Sequence, residues 1–310
     1  MRLLHLAVPC ALSLIACIAC NACSGGSKAP AATTDAGVDS GEERMFGGDR
    51  PVSVRVPDGY DPKKPAPLLL MLHGYGAAGL VFDVYLNMAS IADAHGFFYV
   101  APDGTVDKGG SHFWNATDAC CNFDGSTVDD VAYLTALVKE IEGAYSIDPK
   151  RIYVLGHSNG GFMAHRLACE HAETFAAIVS FAGAVWADPG KCTPSAKVSV
   201  LQIHGTADKE VLYAGTATGG SKLGVYPGAE DTVAIWAKKN GCTDPLVDTG
   251  TTLHVDADFK TKETSVLRHD GCAQGSAAEL WRVGGAPHIF AFAKEGLEST
   301  WTWLDAHPKP

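Results

Sequence analysis

The chain has 310 residues, of which 46% are hydrophobic and 19% are charged, and its formal net charge is −11. This composition is that of an ordinary folded protein, and the length suits one domain of about 260 residues behind an N-terminal extension. Because the acidic excess comes with no cluster of lysine and arginine, nucleic acids and anionic membrane surfaces are excluded as main partners.

Residues 1–23 have the composition of an export signal. Arg2 supplies one positive charge, and a nearly continuous apolar run from Leu3 to Ala19 has the length of a signal-peptide hydrophobic region. No later stretch approaches the roughly 18 consecutive apolar residues that span a bilayer. We therefore expect an exported protein whose mature form is not integral to a membrane.

The same segment resembles a bacterial lipoprotein box. The run Leu-Ile-Ala-Cys at 14–17 has the pattern that a signal peptidase cleaves before a cysteine that becomes acylated. Cys17, Cys20 and Cys23 are all candidate lipid carriers, and a plain secretory signal is the alternative. The small, polar residues at 24–44 predict a flexible tether. We expect a secreted protein or an outer-membrane-anchored bacterial lipoprotein, with membrane contact only through this anchor.

Beyond the tether, apolar strands alternate with amphipathic helices. Strands are predicted at 52–56, 68–72, 97–101, 152–155, 177–181, 198–203 and 280–283. Helices are predicted at 82–95, 128–144, 161–169, 231–239 and 297–306, with a long loop at 105–126. Thr127, three residues before Asp130, is the predicted cap of the second helix. This alternation predicts a three-layer α/β fold with a mostly parallel sheet in a domain at 45–310.

Six cysteines lie beyond the tether: Cys120, Cys121, Cys169, Cys192, Cys242 and Cys272. An even count in an exported chain predicts disulfides, and six cysteines allow about 15 pairings. The pairing that we favour joins Cys169 to Cys192, Cys242 to Cys272, and the neighbours Cys120 and Cys121. The spacing of cysteine and histidine does not fit a zinc site, and we expect neither a metal nor a cofactor.

The pentapeptide Gly156-His157-Ser158-Asn159-Gly160 joins the strand at 152–155 to a helix. A serine at the apex of so tight a turn is typical of a nucleophile, because the glycines on each side make room for a strained backbone. The same pattern also occurs as an ordinary glycine-rich turn. The choice between a nucleophile and a turn depends on whether a base and an acid follow in order.

A serine nucleophile needs a histidine base, and the base needs a carboxylate to fix its tautomer. Asp208 follows the strand at 198–203, and His288 follows the strand at 280–283, which is the order Ser, Asp, His of α/β-hydrolases. The other histidines considered for the base are His204, His254, His269 and His307. We interpret His204 as structural because it lies too close to a strand end.

The backbone N–H groups of Tyr75 and Asn159 are the candidate oxyanion donors. Tyr75 follows the turn His73-Gly74 at the end of a strand, and Asn159 follows Ser158. The candidate pocket residues are His73, Trp114, His157 and Phe290.

The order of these motifs resembles the polyhydroxybutyrate-depolymerase type of esterases, which include bacterial feruloyl and acetylxylan esterases of carbohydrate esterase family 1. The motifs are Leu72-His73-Gly74, Trp114 with Cys120-Cys121, Val128-Asp129-Asp130-Val131, Gly156 to Gly161, Phe175 to Ile178 with Ala182-Gly183, His204 to Asp208 with Tyr213-Ala214-Gly215, and Trp236 with Asn240-Gly241-Cys242. The resemblance extends from about residue 55 to the C-terminus.

The resemblance implies an α/β-hydrolase fold and hydrolysis of carboxylic esters outside the cytoplasm. It implies that Ser158 is the nucleophile, Asp208 the acid and His288 the base. The chain departs from the family after its last strand, where the family has Gly-Gly-Gly-His followed by Trp-Pro. Here the sequence is Gly-Gly-Ala-Pro-His-Ile-Phe at 284–290. The absent tryptophan leaves the triad in place but puts the family's usual substrates in question.

We therefore expect a monomeric serine ester hydrolase whose partner is a small-molecule or oligosaccharide ester. Feruloyl or acetyl esters of plant-polysaccharide fragments are the first expected substrates, and hydroxybutyrate polymers or oligomers are the second. A serine peptidase would need a further domain, for which the chain has no room. A non-catalytic surface binding protein on the same scaffold would lack a member of the triad, and none is missing.

Overall fold

A ten-stranded sheet organises the part of the chain that the structure, a computed structural model, describes: residues 44–218 and 223–310. The expected export signal, the candidate lipid carriers Cys17, Cys20 and Cys23, and the tether as far as residue 43 lie outside the described residues. Among the described helices, none has the length and apolar character needed to cross a membrane.

Strands and helices alternate along most of the described chain. The strands are β1 Met45–Phe46, β2 Val52–Arg55, β3 Ala66–Leu72, β4 Phe98–Val100, β5 Thr105–Val106, β6 His112–Phe113, β7 Ile147–His157, β8 Ala177–Phe181, β9 Ser199–Gly205, β10 Gly215–Thr216, β11 Tyr226–Pro227, β12 Val247–Leu253, β13 Thr264–His269 and β14 Ala278–Val283. The helices are α1 Gly79–Leu86, α2 Ala89–His95, α3 Asp130–Ala144, α4 Asn159–Glu170, α5 Ala229–Asn240 and α6 Lys294–Asp305.

The strand order of the large sheet is β1-β2-β4-β3-β7-β8-β9-β14-β13-β12. The six strands from β4 to β14 pair in parallel, and the strands at both edges pair antiparallel. In register, Leu72 lies opposite Gly156, and Gly205 lies opposite Val283. The loops that leave the carboxyl ends of β3, β7, β9 and β14 therefore emerge at one edge of the sheet, where α/β proteins bind ligands.

Two apolar layers cover the sheet. On one face Leu68, Leu70 and Leu72 pack with side chains of α3, α4 and α5, and on the other Leu69 and Met71 pack with α1, α2 and α6. Successive residues of a strand point to opposite faces, so a strand that is covered on both is apolar throughout. The predicted three-layer α/β fold with a mostly parallel sheet is confirmed.

Two local predictions are wrong. The helix predicted at 82–95 is two helices, because Asn87 adopts a left-handed conformation (φ 50°, ψ 49°) that ends α1. Asparagine tolerates this conformation better than most residues. The helix α3 is capped by Asp129, not Thr127, because the Asp129 carboxylate accepts a hydrogen bond of 2.9 Å from the Ala132 N–H.

The six cysteines form three disulfides, in the pairing favoured from the sequence. Cys169, near the end of α4, is bonded to Cys192, and Cys242, after α5, is bonded to Cys272. The neighbours Cys120 and Cys121 are bonded to each other. Such cross-links are typical of exported proteins.

Candidate active site

Ser158 lies at the apex of the turn between β7 and α4, with a positive φ of 54° and a ψ of −118°. A Cβ atom on Gly156 would lie 2.0 Å from the Gly160 carbonyl oxygen, and one on Gly160 would lie 2.0 Å from that of Leu72. Only glycine fits these two positions. The turn is therefore built to hold a serine in a conformation that costs free energy, as functional sites often do.

Two backbone segments approach Ser158. Asn159 begins α4, and the first N–H groups of a helix have no partner within it and carry partial positive charge. The segment after β3 is the second, since a Cβ on Gly74 would lie 3.4 Å from the Ser158 Cβ. The candidate oxyanion donors Tyr75 and Asn159 are thus on the two segments next to the serine.

Asp208 and His288 are joined across the loops that follow the neighbouring strands β9 and β14. His288 Nδ1 donates a hydrogen bond of 2.7 Å to Asp208 Oδ2. The other oxygen, Oδ1, accepts hydrogen bonds from the backbone N–H groups of Glu210 at 2.8 Å and Val211 at 3.0 Å. Burial opposes the charge of the Asp208 carboxylate, but contacts with the rings of His204 and His288 outweigh it and hold its pKa well below the usual range. Asp208 is therefore ionised.

Ser158 and His288 line one cavity at this edge of the sheet. In the part of the chain that the structure describes, the Ser158 hydroxyl and the His288 ring are not hydrogen-bonded to each other. In unliganded hydrolases this contact is often long and shortens when substrate binds. The structure thus brings the three predicted residues to one site, with the acid and the histidine already hydrogen-bonded.

His157, a candidate pocket residue, lines the cavity and also supports the His288 loop. Its Nε2 donates a hydrogen bond of 3.0 Å to the His288 carbonyl oxygen, and the two rings lie 4.9 Å apart. Burial and the neighbouring His288 ring lower the pKa of His157 to about 3. His157 is therefore neutral, and its Nε2–H fixes the backbone from which His288 projects.

His73 and Trp114 lie behind the site and are not among the residues that line the cavity. The His73 ring donates from Nδ1 to the Gly74 carbonyl oxygen at 2.8 Å and accepts at Nε2 from the Gly104 N–H at 2.9 Å. The Trp114 indole N–H donates to the His73 carbonyl oxygen at 3.0 Å. Their expected role as pocket walls is corrected, because these hydrogen bonds hold both side chains in the interior.

Phe290 is also buried behind the site instead of lining the cavity. Its ring packs 5.1 Å from each of the rings of Phe181 and Phe292, and its carbonyl oxygen accepts a hydrogen bond of 2.5 Å from the Tyr85 hydroxyl. The neighbouring Ile289 lines the cavity and is 64% exposed. The residue that follows the histidine at the cavity wall is thus isoleucine.

The Asn159 side chain has a role that the sequence did not reveal. Its Oδ1 accepts from the Trp114 N–H at 2.7 Å, and its Nδ2 donates to the Trp114 carbonyl oxygen at 3.0 Å. The residue after Ser158 therefore fixes the long loop at 105–126 to the turn that carries Ser158. The sequence showed only that a polar residue follows Ser158, and it indicated no partner for the side chain.

The cavity has a volume of about 1110 Å³ and mostly apolar walls. Its apolar lining includes Tyr75, Val81, Phe123, Leu223, Ile289 and the Cys120–Cys121 disulfide, and its charged lining is Lys209 and Glu210. None of these walls was predicted from the sequence, which indicated Tyr75 as an oxyanion donor and the cysteines as disulfides. The walls that come from loops, such as Phe123 and Leu223, have no periodicity that would reveal them. In the described part of the chain, no group of three or more histidine, cysteine or carboxylate side chains is placed to hold a metal ion.

Comparison with known proteins places the chain in a family. The model of the family Esterase matches residues 43–296. Feruloyl esterase B of Piromyces equi is 28% identical over 254 residues, which are 80% of this chain and 44% of that protein. Poly(3-hydroxybutyrate) depolymerase of Ralstonia pickettii is 34% identical over 130 residues, which are 39% of this chain and 26% of that protein.

The first two curated relatives are more than twice as long as the part of them that this chain matches. Among solved structures, acetyl xylan esterase from Aspergillus awamori superposes with a TM-score of 0.54 over 83% of this chain and 94% of that one, at 13% identity. At such an identity the superposition shows the fold alone, the α/β-hydrolase fold expected from the motifs. By the family match over residues 43–296, the chain belongs to the Esterase family.

Proposed function

We propose that this protein is an exported serine ester hydrolase in which Ser158 is the nucleophile, His288 the general base and Asp208 the acid that orients it. The observation that carries the proposal is the hydrogen bond of 2.7 Å between His288 and a buried, ionised Asp208, beside a serine in a strained turn. Membership of the Esterase family supports the same reaction class.

The reaction has two acyl-transfer steps. His288 takes the proton of Ser158 as its oxygen attacks the ester carbonyl, and the positive charge that forms on the ring is stabilised by Asp208. The backbone N–H groups of Tyr75 and Asn159 donate to the oxyanion, and a single such donor is worth about 100- to 1000-fold in rate. His288 then protonates the leaving alcohol, and water releases the acyl group by the same steps in reverse order.

The size of the cavity favours a bulky acyl or alcohol group. An acetyl group would fill little of a space of about 1110 Å³, whereas a feruloyl group on a sugar would contact the rings of Tyr75 and Phe123 at its wall. We therefore rank feruloyl esters of plant-polysaccharide fragments ahead of acetyl esters. Two of the relatives named above suggest the alternatives: the feruloyl esterase supports this choice, and the poly(3-hydroxybutyrate) depolymerase supports hydroxybutyrate oligomers as the second candidate.

The test is a substrate panel with the Ser158→Ala variant as the control. Methyl ferulate, acetylated xylan and hydroxybutyrate oligomers are compared by kcat/KM. We expect methyl ferulate to be cleaved fastest and Ser158→Ala to lose at least about 1000-fold on every substrate. Wild-type turnover by Ser158→Ala would contradict the proposed nucleophile. Absence of turnover by the wild type on all three substrates would favour a surface binding protein. Faster cleavage of the oligomers would retain the mechanism and reverse the substrate ranking.

The proposal of export is supported by the three disulfides and by the composition of residues 1–23. The mass of the N-terminal peptide, measured on protein purified from a bacterial host, distinguishes a lipoprotein from a secreted protein. A diacylated or triacylated cysteine at position 17, 20 or 23 would identify a lipoprotein, and an unmodified cleaved terminus would identify a secreted protein. An uncleaved terminus would contradict export.

A further inference from the structure

A second histidine contacts the carboxylate of Asp208. His204 lies near the end of β9 and is 1% exposed. Its Nε2 donates a hydrogen bond of 2.8 Å to the Val211 carbonyl oxygen and lies 3.3 Å from Asp208 Oδ2. Since the N–H of the same Val211 donates to Asp208 Oδ1, His204 acts on the acid both directly and through the turn that follows it.

Three buried side chains, those of Trp236, His165 and Gln202, determine which ring nitrogen of His204 carries the proton. The first link is Trp236 on α5, whose indole N–H donates to His165 Nδ1 at 2.9 Å. An indole nitrogen can only donate, so His165 Nδ1 is the acceptor and its proton is on Nε2. Burial lowers the pKa of His165 to about 4, so the ring is neutral at pH 7.

The second link is Gln202, whose amide orientation is set by two neighbours. Its Nε2 donates to the Gly183 carbonyl oxygen at 2.8 Å, and a carbonyl oxygen can only accept. Its Oε1 therefore faces His165 Nε2, at 3.2 Å, and accepts the proton there. Each end of the amide has one consistent role.

The third link joins Gln202 to His204. The Gln202 Nε2 lies 3.2 Å from His204 Nδ1, which must accept because the amide nitrogen donates. The His204 proton is then on Nε2, facing Val211 and Asp208. The four side chains of Trp236, His165, Gln202 and His204, which we call the buried relay, are each at most 1% exposed.

We propose that His204 is a positioning residue of the triad and that the buried relay holds it as a neutral donor toward Asp208. The proposal rests on the proposed function. The relay would then have two effects. It restrains the plane of the Asp208 carboxylate, and it supplies a second hydrogen-bond donor that partly neutralises the carboxylate, so that Asp208 stabilises the protonated His288 ring less strongly. Loss of His204 should therefore slow the reaction and favour protonated His288.

The ionisable groups around Asp208 are few. His204 and His288 are in contact with it, and His157 and Tyr226 act on it over longer distances. Lys209 and Glu210, next to it in the chain, line the open cavity. Tyr213 lies against His204, with ring centres 5.6 Å apart. Apart from His288, none of these groups contacts the Asp208 carboxylate as His204 does.

The experiment compares His204→Phe, His204→Gln and the control His307→Phe in the full chain. A glutamine Nε2 can reproduce the histidine Nε2–H, whereas phenylalanine cannot. For His204→Phe we expect kcat to fall about 10- to 100-fold, the loss typical of one hydrogen bond to a charged group, with KM nearly unchanged. The acid limb of its kcat/KM profile should move to higher pH. His204→Gln should recover most of kcat and the wild-type limb.

His307 is a suitable control because it is a half-buried histidine that bonds to the Trp303 carbonyl oxygen, at the end of α6. If His204 has a purely structural role, His204→Phe should lower stability, as we expect of His307→Phe, and should leave the acid limb unmoved. That result, with Ser158→Ala inactive, would overturn the relay alone. Activity of Ser158→Ala would overturn the proposed function and the relay with it.

Nitrogen NMR of the wild-type histidine rings tests the relay without any variant. A proton on Nε2 and none on Nδ1 in both His165 and His204 at pH 7.5 would support it. A proton on Nδ1 of either ring would overturn it. The result stands even where His204→Phe fails to fold.

Discussion

Asp208 accepts hydrogen bonds at both carboxylate oxygens, and each acts on a different part of the site. The two backbone N–H groups at Oδ1 fix the carboxylate to its own turn, and His288 at Oδ2 is the group that the carboxylate orients. Because the two oxygens have different partners, a substitution that keeps the shape of Asp208 but removes its charge should affect His288 more than the turn.

The change Asp208→Asn should lower kcat by about 10⁴-fold, because an amide would hold His288 in the wrong tautomer and would not stabilise its charge. We expect KM and the thermal midpoint to change little. The measurement is steady-state kinetics on methyl ferulate. Asp188→Asn is the matched control, since the exposed Asp188 accepts from the N–H two residues on in the same kind of turn. A loss below tenfold in Asp208→Asn would contradict the role of the acid.

Among the helices, α3 shows how one side chain determines where an element begins. Asp129 has non-helical backbone angles and accepts from the Ala132 N–H, whereas Thr127 lies two residues earlier and is exposed. The next residue, Asp130, is buried and bonds to Arg50 at 2.7 Å and to the Asn115 N–H at 2.7 Å. It thus joins the helix start to the long loop.

Replacement of the cap should cost stability where replacement of the predicted cap does not. Asp129→Ala should lower the free energy of unfolding by about 1 kcal/mol, the typical loss of a helix N-cap. Thr127→Ala should stay within about 0.5 kcal/mol of the wild type, as exposed substitutions usually do. Urea unfolding at pH 7.5 measures both. Equal losses in the two variants would show that Asp129 is not the cap.

The sequence predicted the parallel core well and the edges poorly, for a physical reason. The strand at 177–181 was predicted with its observed bounds, because a strand covered on both faces is a continuous apolar run. The edge strand β12, Val247–Leu253, was missed, because its side chains are exposed or half-exposed and mostly polar. Its partner β13 was also missed, since it forms by pairing with β12 and β14. The break at Asn87 was missed too.

The same limit applied at the site. The three proposed triad residues could be placed near one another because each follows a buried strand, and the ends of parallel strands meet at one edge. The contact of His204 with Asp208 was not found, because it depends on the turn between them and on Gln202. The cavity walls Phe123 and Leu223 come from loops without periodicity, so the sequence indicated an ester bond and not the group attached to it.

Across the whole molecule, several histidines are buried as neutral rings. Burial lowers the pKa of His157 to about 3 and that of His165 to about 4, and it also lowers the pKa of His73. In the unfolded chain a histidine titrates near the ordinary value of 6.5. Below that pH the unfolded chain therefore binds protons that the native protein does not.

The stability of the protein should consequently be full above pH 6.5 and should fall as the pH decreases from 6.5 toward 4. Each such histidine contributes up to about 1.4 kcal/mol per pH unit in that window. Urea midpoints at pH 7.5, 6.5, 5.5 and 4.5 measure the slope. His165→Met should be less stable at pH 7.5, since Trp236 and Gln202 lose a partner, yet its midpoint should fall less steeply below pH 6.5. The exposed control Thr302→Ala should parallel the wild type. Because buried carboxyl groups titrate equally in all three proteins, the difference in slope isolates one histidine, and parallel slopes in His165→Met and the wild type would show that His165 is not a neutral ring in the native state.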